Sequence, residues 1–294
     1  MKLEELIYKR FTESEKLTGQ LAVYSDCPAI FFPEVPSDSQ EGWEGETQYP
    51  RMTYSIDMQA NEERKSAGTL TVSLFCQNTA DIFPDEIALG VKNCLKDVLL
   101  KVGDTLHAFA WERQEAFSIP EKEENLVIGC DIRFDILEYA TQETTDPDPV
   151  MAVNQYIKEL FPECIVVGLD RMEEVTEPSE KAPVIYCRLM EIEKGKETNT
   201  VAWMNGKLAV HILCPESETR LKITAAIANE MALDGEIIML DKSPMFINKL
   251  QWDNKSDYLK EGQIFLDVNY GLLRYRAKPH VLRQAKVKEN SGGA

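Results

Sequence analysis

Thr69–Gln77 reads TLTVSLFCQ and Lys207–Pro215 reads KLAVHILCP. Both alternate apolar residues up to a cysteine, and their neighbours recur in the same order. Pro50 and Pro183 precede a strand, Cys76 and Cys214 end one, Gly103 and Gly235 follow a helix, and then come Trp111 and Trp252, Tyr139 and Tyr275. Each pair lies roughly 130 to 140 residues apart, the spacing of a duplicated domain and not of a short solenoid repeat. The 294 residues therefore divide into two units of about 140 each, large enough for a core apiece.

In the first unit, apolar residues at Leu3, Leu6, Ile7, Phe11 and Leu17 predict an opening helix that ends near Gly19. Ala29–Phe32 predicts a short strand, and the Pro-, Ser- and acid-rich run after Pro33 predicts a long loop. Loops of that length either bind something or stay mobile, which marks Trp43 in its middle. It folds back on its own domain or meets a partner. Met52–Met58 and the organising strand predict a hairpin, with Leu70, Val72, Leu74 and Cys76 on one face. Pro84, Asp85 and Glu86 predict a helix start. Ile87, Val91, Leu95, Val98, Leu99 and Val102 continue at helical spacing, with Gly103 as the cap. Thr105–Phe117 and Asn125–Tyr139 predict two closing strands, the second carrying Ile128, Cys130, Ile132, Phe134 and Ile136 on one face.

TQETTDPDP, Thr141–Pro149, has no apolar periodicity and marks the link. The expected organisation is a first repeat over 1–142, a linker over 143–149, a second repeat over 150–278 and a loose, basic then Gly/Ser-rich tail over 279–294. The second repeat restores the order of elements, with Ile264, Leu266, Val268, Tyr270 and Leu272 matched to the alternating face of the first. The expected fold class is α+β: two similar domains, each a mainly antiparallel sheet with helices packed on one face. Leu70, Val72, Leu74, Ile128, Ile132 and Phe134 are expected to be buried, along with Leu208, Val210, Ile212, Ile264, Val268 and Tyr270, with Ala209 and Leu213 competing for the inner face of Leu208–Leu213.

Charge narrows the function. The formal net charge is −18 and the pI about 4.7, which opposes any broad grip on phosphates. Stable nucleic-acid binding is not expected. The N-terminus interleaves charge with apolar residues, unlike a signal peptide, and no run reaches the ~18 apolar residues of a membrane span. A soluble protein made in the cytoplasm is expected. Cys27, Cys76, Cys94, Cys130, Cys164, Cys187 and Cys214 form no CxxC pair and read as reduced, mostly buried thiols.

His107, His211 and His280 have no ligand partners at metal spacing, and His211 is expected on the solvent side or loosely packed. No phosphate-binding, nucleophile, metalloprotease or calcium-loop motif occurs. Glu123 with Glu124 and Glu173 with Glu174 are carboxylate pairs, read as solvated charge in a chain with 50 acids. The DPDP of the linker lacks the glycine and distal glutamate of a calcium loop and reads as a rigid spacer. No catalytic, cofactor-binding or metal residue is assigned, and no enzyme is expected.

The opening helix, the proline-led YPRMTYSIDM strand, TLTVSLFCQN followed at once by an amphipathic helix, and the closing LVIGCDIRFDILEY together resemble the tail terminator or tail completion proteins of long-tailed bacteriophages and prophages. The resemblance covers both halves and lies in layout and hydrophobic pattern. It implies a structural virion protein that caps the tail tube as a ring and joins it to the neck. Its partners would be its own copies and tail or neck proteins, with DNA only passing through and no membrane. It would sit in the host cytoplasm during assembly and then in the virion tail. Family members are usually six single-domain subunits, and two fused copies imply three chains for the same closure. Two other classes stay open: a duplicated small-molecule-binding or regulatory module, marked by an apolar pocket between the halves, and an enzyme of unrecognised carboxylate chemistry, marked by a cleft of carboxylates with unlike pKa values.

Overall fold

The computed structural model describes residues 1–36, 43, 45–59, 66–78, 81–120, 126–142 and 144–274. Leu3, Leu6, Ile7 and Phe11 form the buried stripe of α1 (Leu3–Thr12). The expected single helix is interrupted, because the Ser14 hydroxyl accepts from the Leu17 amide and starts a short α2 (Glu15–Thr18). A serine that caps the next turn competes with helix continuation. A small ribbon, β1 (Val23–Tyr24) and β2 (Cys27–Pro28), precedes β3 (Ile30–Phe31). Next come β4 (Arg51–Met58), β5 (Gly68–Gln77) and α3 (Pro84–Leu95), then β6 (Leu99–Val102), β7 (Thr105–Pro120) and β8 (Leu126–Ala140).

Helix α3 stops seven residues earlier than its apolar spacing predicts, at Leu95 instead of Val102. Lys96 is extended and Asp97 takes a positive φ of 54°, so Leu99–Val102 leaves as a strand. Val98 and Leu100 then face the core while Leu99 faces the other way. A run of apolar residues on both faces of a buried strand mimics helical spacing. Gly103, with φ of 61°, serves the β6–β7 turn and not a helix cap.

The second half repeats the order with α4 (Pro149–Leu160), β9 (Ile165–Val166), β10 (Val175–Thr176), β11 (Val184–Glu197), β12 (Val201–Leu213), α5 (Ser217–Asp234), β13 (Glu236–Ile238), β14 (Pro244–Trp252) and β15 (Ile264–Leu273). The linker carboxylate Asp148 is the N-cap of α4, accepting from the amides of Val150 and Met151. Gly235 does cap its helix, in the left-handed conformation at φ 68°.

The protein is α+β with two antiparallel-rich sheets and helices packed on them. One sheet runs β10-β6-β7-β8-β5-β4-β3 and the other β13-β14-β15-β12-β11-β9. Apart from β10, the two orders are the same. In each, the first short strand is parallel to its neighbour and the other pairs within that half are antiparallel. Each sheet covers its own helices with one face, giving one core that includes Leu6, Phe11, Leu70, Leu74, Val91 and Ile132 and a second that includes Val153, Ile157, Leu208, Val210, Ile227 and Val268. Of the side chains expected inside, Ile128 is half-buried and the other eleven are buried.

A β-bulge interrupts β7 at Trp111/Arg113 and β14 at Ile247/Lys249, so Trp111 and Ile247 occupy the same place. Their partners are Phe134 and Val268. Counted from there, Ile264 lies level with Cys130 rather than Ile128, and Cys76 lies level with Ile212 rather than Cys214. The repeated phase of the strands is real. The repeated cysteine and tryptophan marks are not structural equivalents.

Candidate functional site

The largest difference between the halves is where they meet. Segment 170–178 leaves the second half, and its β10 pairs antiparallel with β6 at the edge of the first sheet, Val175 opposite Leu100 and Thr176 opposite Leu99. The Lys101 amide donates to the Glu174 carbonyl at 2.8 Å, and Arg10 of α1 forms an ion pair with Glu177 at 2.5 Å. Behind this added strand lies a third apolar cluster drawn from both halves: Leu99, Leu106, Leu137 and Tyr139 against Met172, Val184, Tyr186 and Leu213. The end of β12 is therefore buried on both faces, which settles the competition between Leu208, Val210 and Ile212 on one side and Ala209 and Leu213 on the other.

His211 sits in this seam, 1% exposed, which corrects the expectation of a solvent-side or loosely packed residue. First-half elements cover the face of β12 that an isolated second domain would leave wet. Its ring lies 5.8 Å from Tyr139 and 5.6 Å from Tyr186, and those two rings meet edge to face at 4.9 Å. Nδ1 is 2.8 Å from the Tyr258 carbonyl, and Nε2 is 3.0 Å from Nε of Arg188. Since Arg188 can only donate and a carbonyl can only accept, the imidazole is neutral with its proton on Nδ1. Burial is the main reason its pKa falls to about 4, with the Tyr258 carbonyl opposing the shift and Arg188 adding to it.

The tyrosines around it are proton donors held in place. Tyr139 donates to the Leu259 carbonyl at 2.8 Å, and Tyr186 donates to the Ala140 carbonyl at 3.1 Å. Tyr258 donates to Asp97 and lies under Arg220, whose guanidinium carbon is 4.1 Å from the ring centre. Burial pushes the Tyr186 hydroxyl up to about 12 and raises Tyr139 and Tyr258 as well, so none ionises near neutrality. Lys260 reaches back to Asp135 at 2.5 Å, and Gln142 accepts from the Leu189 amide at 2.7 Å. Apolar packing, hydrogen bonds and an ion pair thus lock the halves together. The void beside it, lined by Asp97, Leu99, Phe109, Leu213 and Leu259 among others, measures about 10 Å³, about the least that one water needs.

The other residues marked in the sequence are placed apart from one another. Trp43 is fully buried against Tyr24 at 4.9 Å and Phe31 at 5.5 Å, with its carbonyl accepting from Gln48, so it folds back on its own domain. His107 is buried in the first sheet, 3.4 Å from the Leu100 carbonyl and 3.4 Å from Glu138. Glu173 and Glu174 are exposed beside an open groove with Lys101 and Arg171. Cys27 is exposed and the other six cysteines are buried, all free. Burial raises the Cys76 and Cys130 thiols to about 12, far from a reactive thiolate. Glu123, Glu124, His280, Tyr275 and the tail 279–294 lie outside the described residues. Among the described residues, no group of three or more His, Cys, Asp or Glu is placed to hold a metal ion, and no helix is long and apolar enough to cross a membrane.

No family model matches the chain, and no curated protein matches it in sequence.

Sequence reasoning missed Arg188, Tyr186, Tyr258 and the strand at Val175. Only the double apolar phase of KLAVHILCP hinted that both faces of that strand are covered.

Proposed function

We propose that this chain is a structural subunit of the tail or neck of a long-tailed phage or prophage, of the tail terminator or completion kind, which acts through contacts with its own copies and with tail proteins. The observation that carries the reading is the way one half receives the other. The second half adds a strand to the sheet edge of the first and closes an apolar seam over it, which is how protein subunits are stitched to neighbours by strand addition. Two like domains joined so are two successive positions of an assembly, held in one chain.

The net charge of −18 fits a component that lets DNA pass without retaining it. The apolar seam itself holds a void of only about 10 Å³, too small for a small molecule, and the groove of about 560 Å³ where Lys101 and Gly103 meet Arg171–Glu174 is open and lined mainly by charged side chains, unlike the apolar pocket that the ligand-binding alternative calls for. Residence in the host cytoplasm before incorporation into the virion tail belongs to the same proposal.

Electron microscopy tests it: purified protein mixed with tail tubes of its own prophage should appear as density at one tube end, and antibody should label that end in finished particles. Tubes left bare, and particles without label, would overturn the reading.

A further inference from the structure

The edge that β10 covers in the first half has a counterpart in the second. Leu100 pairs with His107, four residues before the bulge at Trp111, and the Met239 amide donates to the Ser243 carbonyl, four residues before the bulge at Ile247. Met239 therefore stands where Leu100 stands, and Ile238 stands where Leu99 stands. Leu99 is 1% exposed beneath the second half, whereas Ile238 is 58% exposed and Leu240, two residues on, is 59% exposed. Among the described residues, nothing pairs with the outer edge of β13. The Gly235 carbonyl and Met239 amide turn toward β14, so the backbone groups of Glu236 and Ile238 turn outward. Beside them lies a groove of about 630 Å³ between α4 and β13, lined by Tyr156, Glu159, Glu236, Ile238, Leu240 and Lys242. In the first half, segment 171–177 runs along the matching edge.

The surface that would cover such an edge also has a counterpart. In the second half it is the outer face of β11 and β12, where Tyr186 pairs with His211. The same register places Arg51, paired with Phe75, at that point of the first sheet. There the Arg51 guanidinium lies 4.8 Å from the Tyr49 ring centre and 5.4 Å from that of Phe75, and Phe75 meets Phe117 edge to face at 5.4 Å. All four side chains are only half-buried. An aromatic surface with an embedded arginine is the composition of interface centres, and its positive charge is complementary to Glu236 on the β13 edge.

We infer that the β13 edge is a docking surface for a second copy of this chain, which covers it with the outer face of its first half around Arg51 and Phe75. The occupant follows from continuity: the contact already made inside the chain, repeated between chains, brings these two surfaces together. The contact is heterologous, joining head to tail, so repetition gives a ring if the rotation closes and a filament if it does not. An uncovered apolar edge is otherwise a hazard that proteins blunt with charge or proline. This deepens the assembly reading above and rests on it only in requiring that copies meet.

Two proteins with one introduced surface cysteine each, Ile238→Cys and Thr53→Cys, both also carrying Cys27→Ser and keeping the six buried cysteines, test it with a short bifunctional maleimide at raised salt, which screens the acidic surfaces. Thr53 lies on the docking face, one alternate position along β4 from Arg51. The mixture should give a covalent dimer, and neither protein alone should. Ile238→Lys in the otherwise native chain should weaken self-association measured by sedimentation at least tenfold. Dimers from Ile238→Cys alone would mean that two β13 edges pair with each other, and the head-to-tail inference would fall. Association with no cross-link in the mixture, or with no response to Ile238→Lys, would also overturn it while leaving the tail reading standing. A chain that stays monomeric at every salt and concentration would overturn it too, and labelling of tail ends would then decide the tail reading separately.

Discussion

Arg188 donates its Nε–H to Nε2 of His211 across 3.0 Å. A cation that donates to an imidazole can do so only while that nitrogen is unprotonated, so the lock between the halves is intact only in one ionisation state of His211. In the fold its pKa is drawn down to about 4 from an ordinary 6.5. The unfolded chain therefore binds this proton first as the pH drops. The stability His211 confers is fully present above about pH 6.5 and is lost progressively down to about pH 4, by about 3 kcal/mol in all. Asp257 favours the charged ring, Tyr139 and Tyr186 pack against it as neutral rings, and Tyr258 meets it through its backbone carbonyl. Urea unfolding at pH 7.5, 6 and 4.5 should show this loss in the native chain, and His211→Gln should be less stable at pH 7.5 but lack that part of the pH dependence.

Tyr139 carries its hydroxyl from the first half to the Leu259 carbonyl of the second, in a site 2% exposed. Tyr139→Phe strands that carbonyl and should cost about 1–3 kcal/mol. Tyr156, whose hydroxyl donates to Asp234 at the surface, is the control. Tyr156→Phe should stay within about 0.5 kcal/mol of the native chain in the same denaturation experiment.

Equivalent positions in the two halves should respond differently to one substitution. Leu99→Ala opens the seam and should cost about 2–5 kcal/mol. Ile238→Ala, at the counterpart, removes a side chain that already meets water and should change the stability of the isolated chain by no more than about 0.5 kcal/mol. Calorimetry on dilute protein reads both, and equal losses would mean that the second edge is covered within the chain.

Two glycines separate backbone strain from steric conflict. A methyl group at Gly235 meets nothing within 4 Å, so Gly235→Ala carries only the left-handed penalty at φ 68°, about 1 kcal/mol. At Gly129 it would stand 2.3 Å from the Leu74 carbonyl oxygen and 2.4 Å from the Phe117 ring. Gly129→Ala must push β5 or Phe117 aside and should cost at least about 1–3 kcal/mol, with the larger fall in melting temperature of the two.

The layout of both sheets is legible because TLTVSLFCQ alternates strictly and LVIGCDIRFDILEY keeps one alternating apolar face from Ile128 to Ile136. Val98–Val102 was misjudged for the opposite reason: a strand covered on both sides has no alternation, and its apolar run passes for helix. The seam was less legible still. Val175 and Thr176 form a strand only because β6 offers unpaired amides, and nothing in RMEEVTEPSEK announces that template. His211 looked exposed because sequence phase reports which side of a sheet faces its own helices. It is silent about what a neighbouring domain lays on the other side. The same limit hid the pairing of Arg188 with His211, residues on adjacent strands whose meeting depends on the hairpin register.

Strand β10 belongs to the second half by sequence and to the first half's sheet by pairing, and synthesis must live with that order. When Ala140 leaves the ribosome, every strand of the first half's own making is available, yet the β6 edge and Leu99 stay bare until Val175 and Thr176 emerge. At ~5–20 residues per second that interval lasts on the order of seconds, long compared with hairpin formation at ~1–10 μs. For that time the nascent first half is a folded body with one open seat, and neighbouring chains on the same message carry the strand that fits it. Expression yield should therefore depend on local crowding of ribosomes along this message more than the stability of the finished protein would suggest.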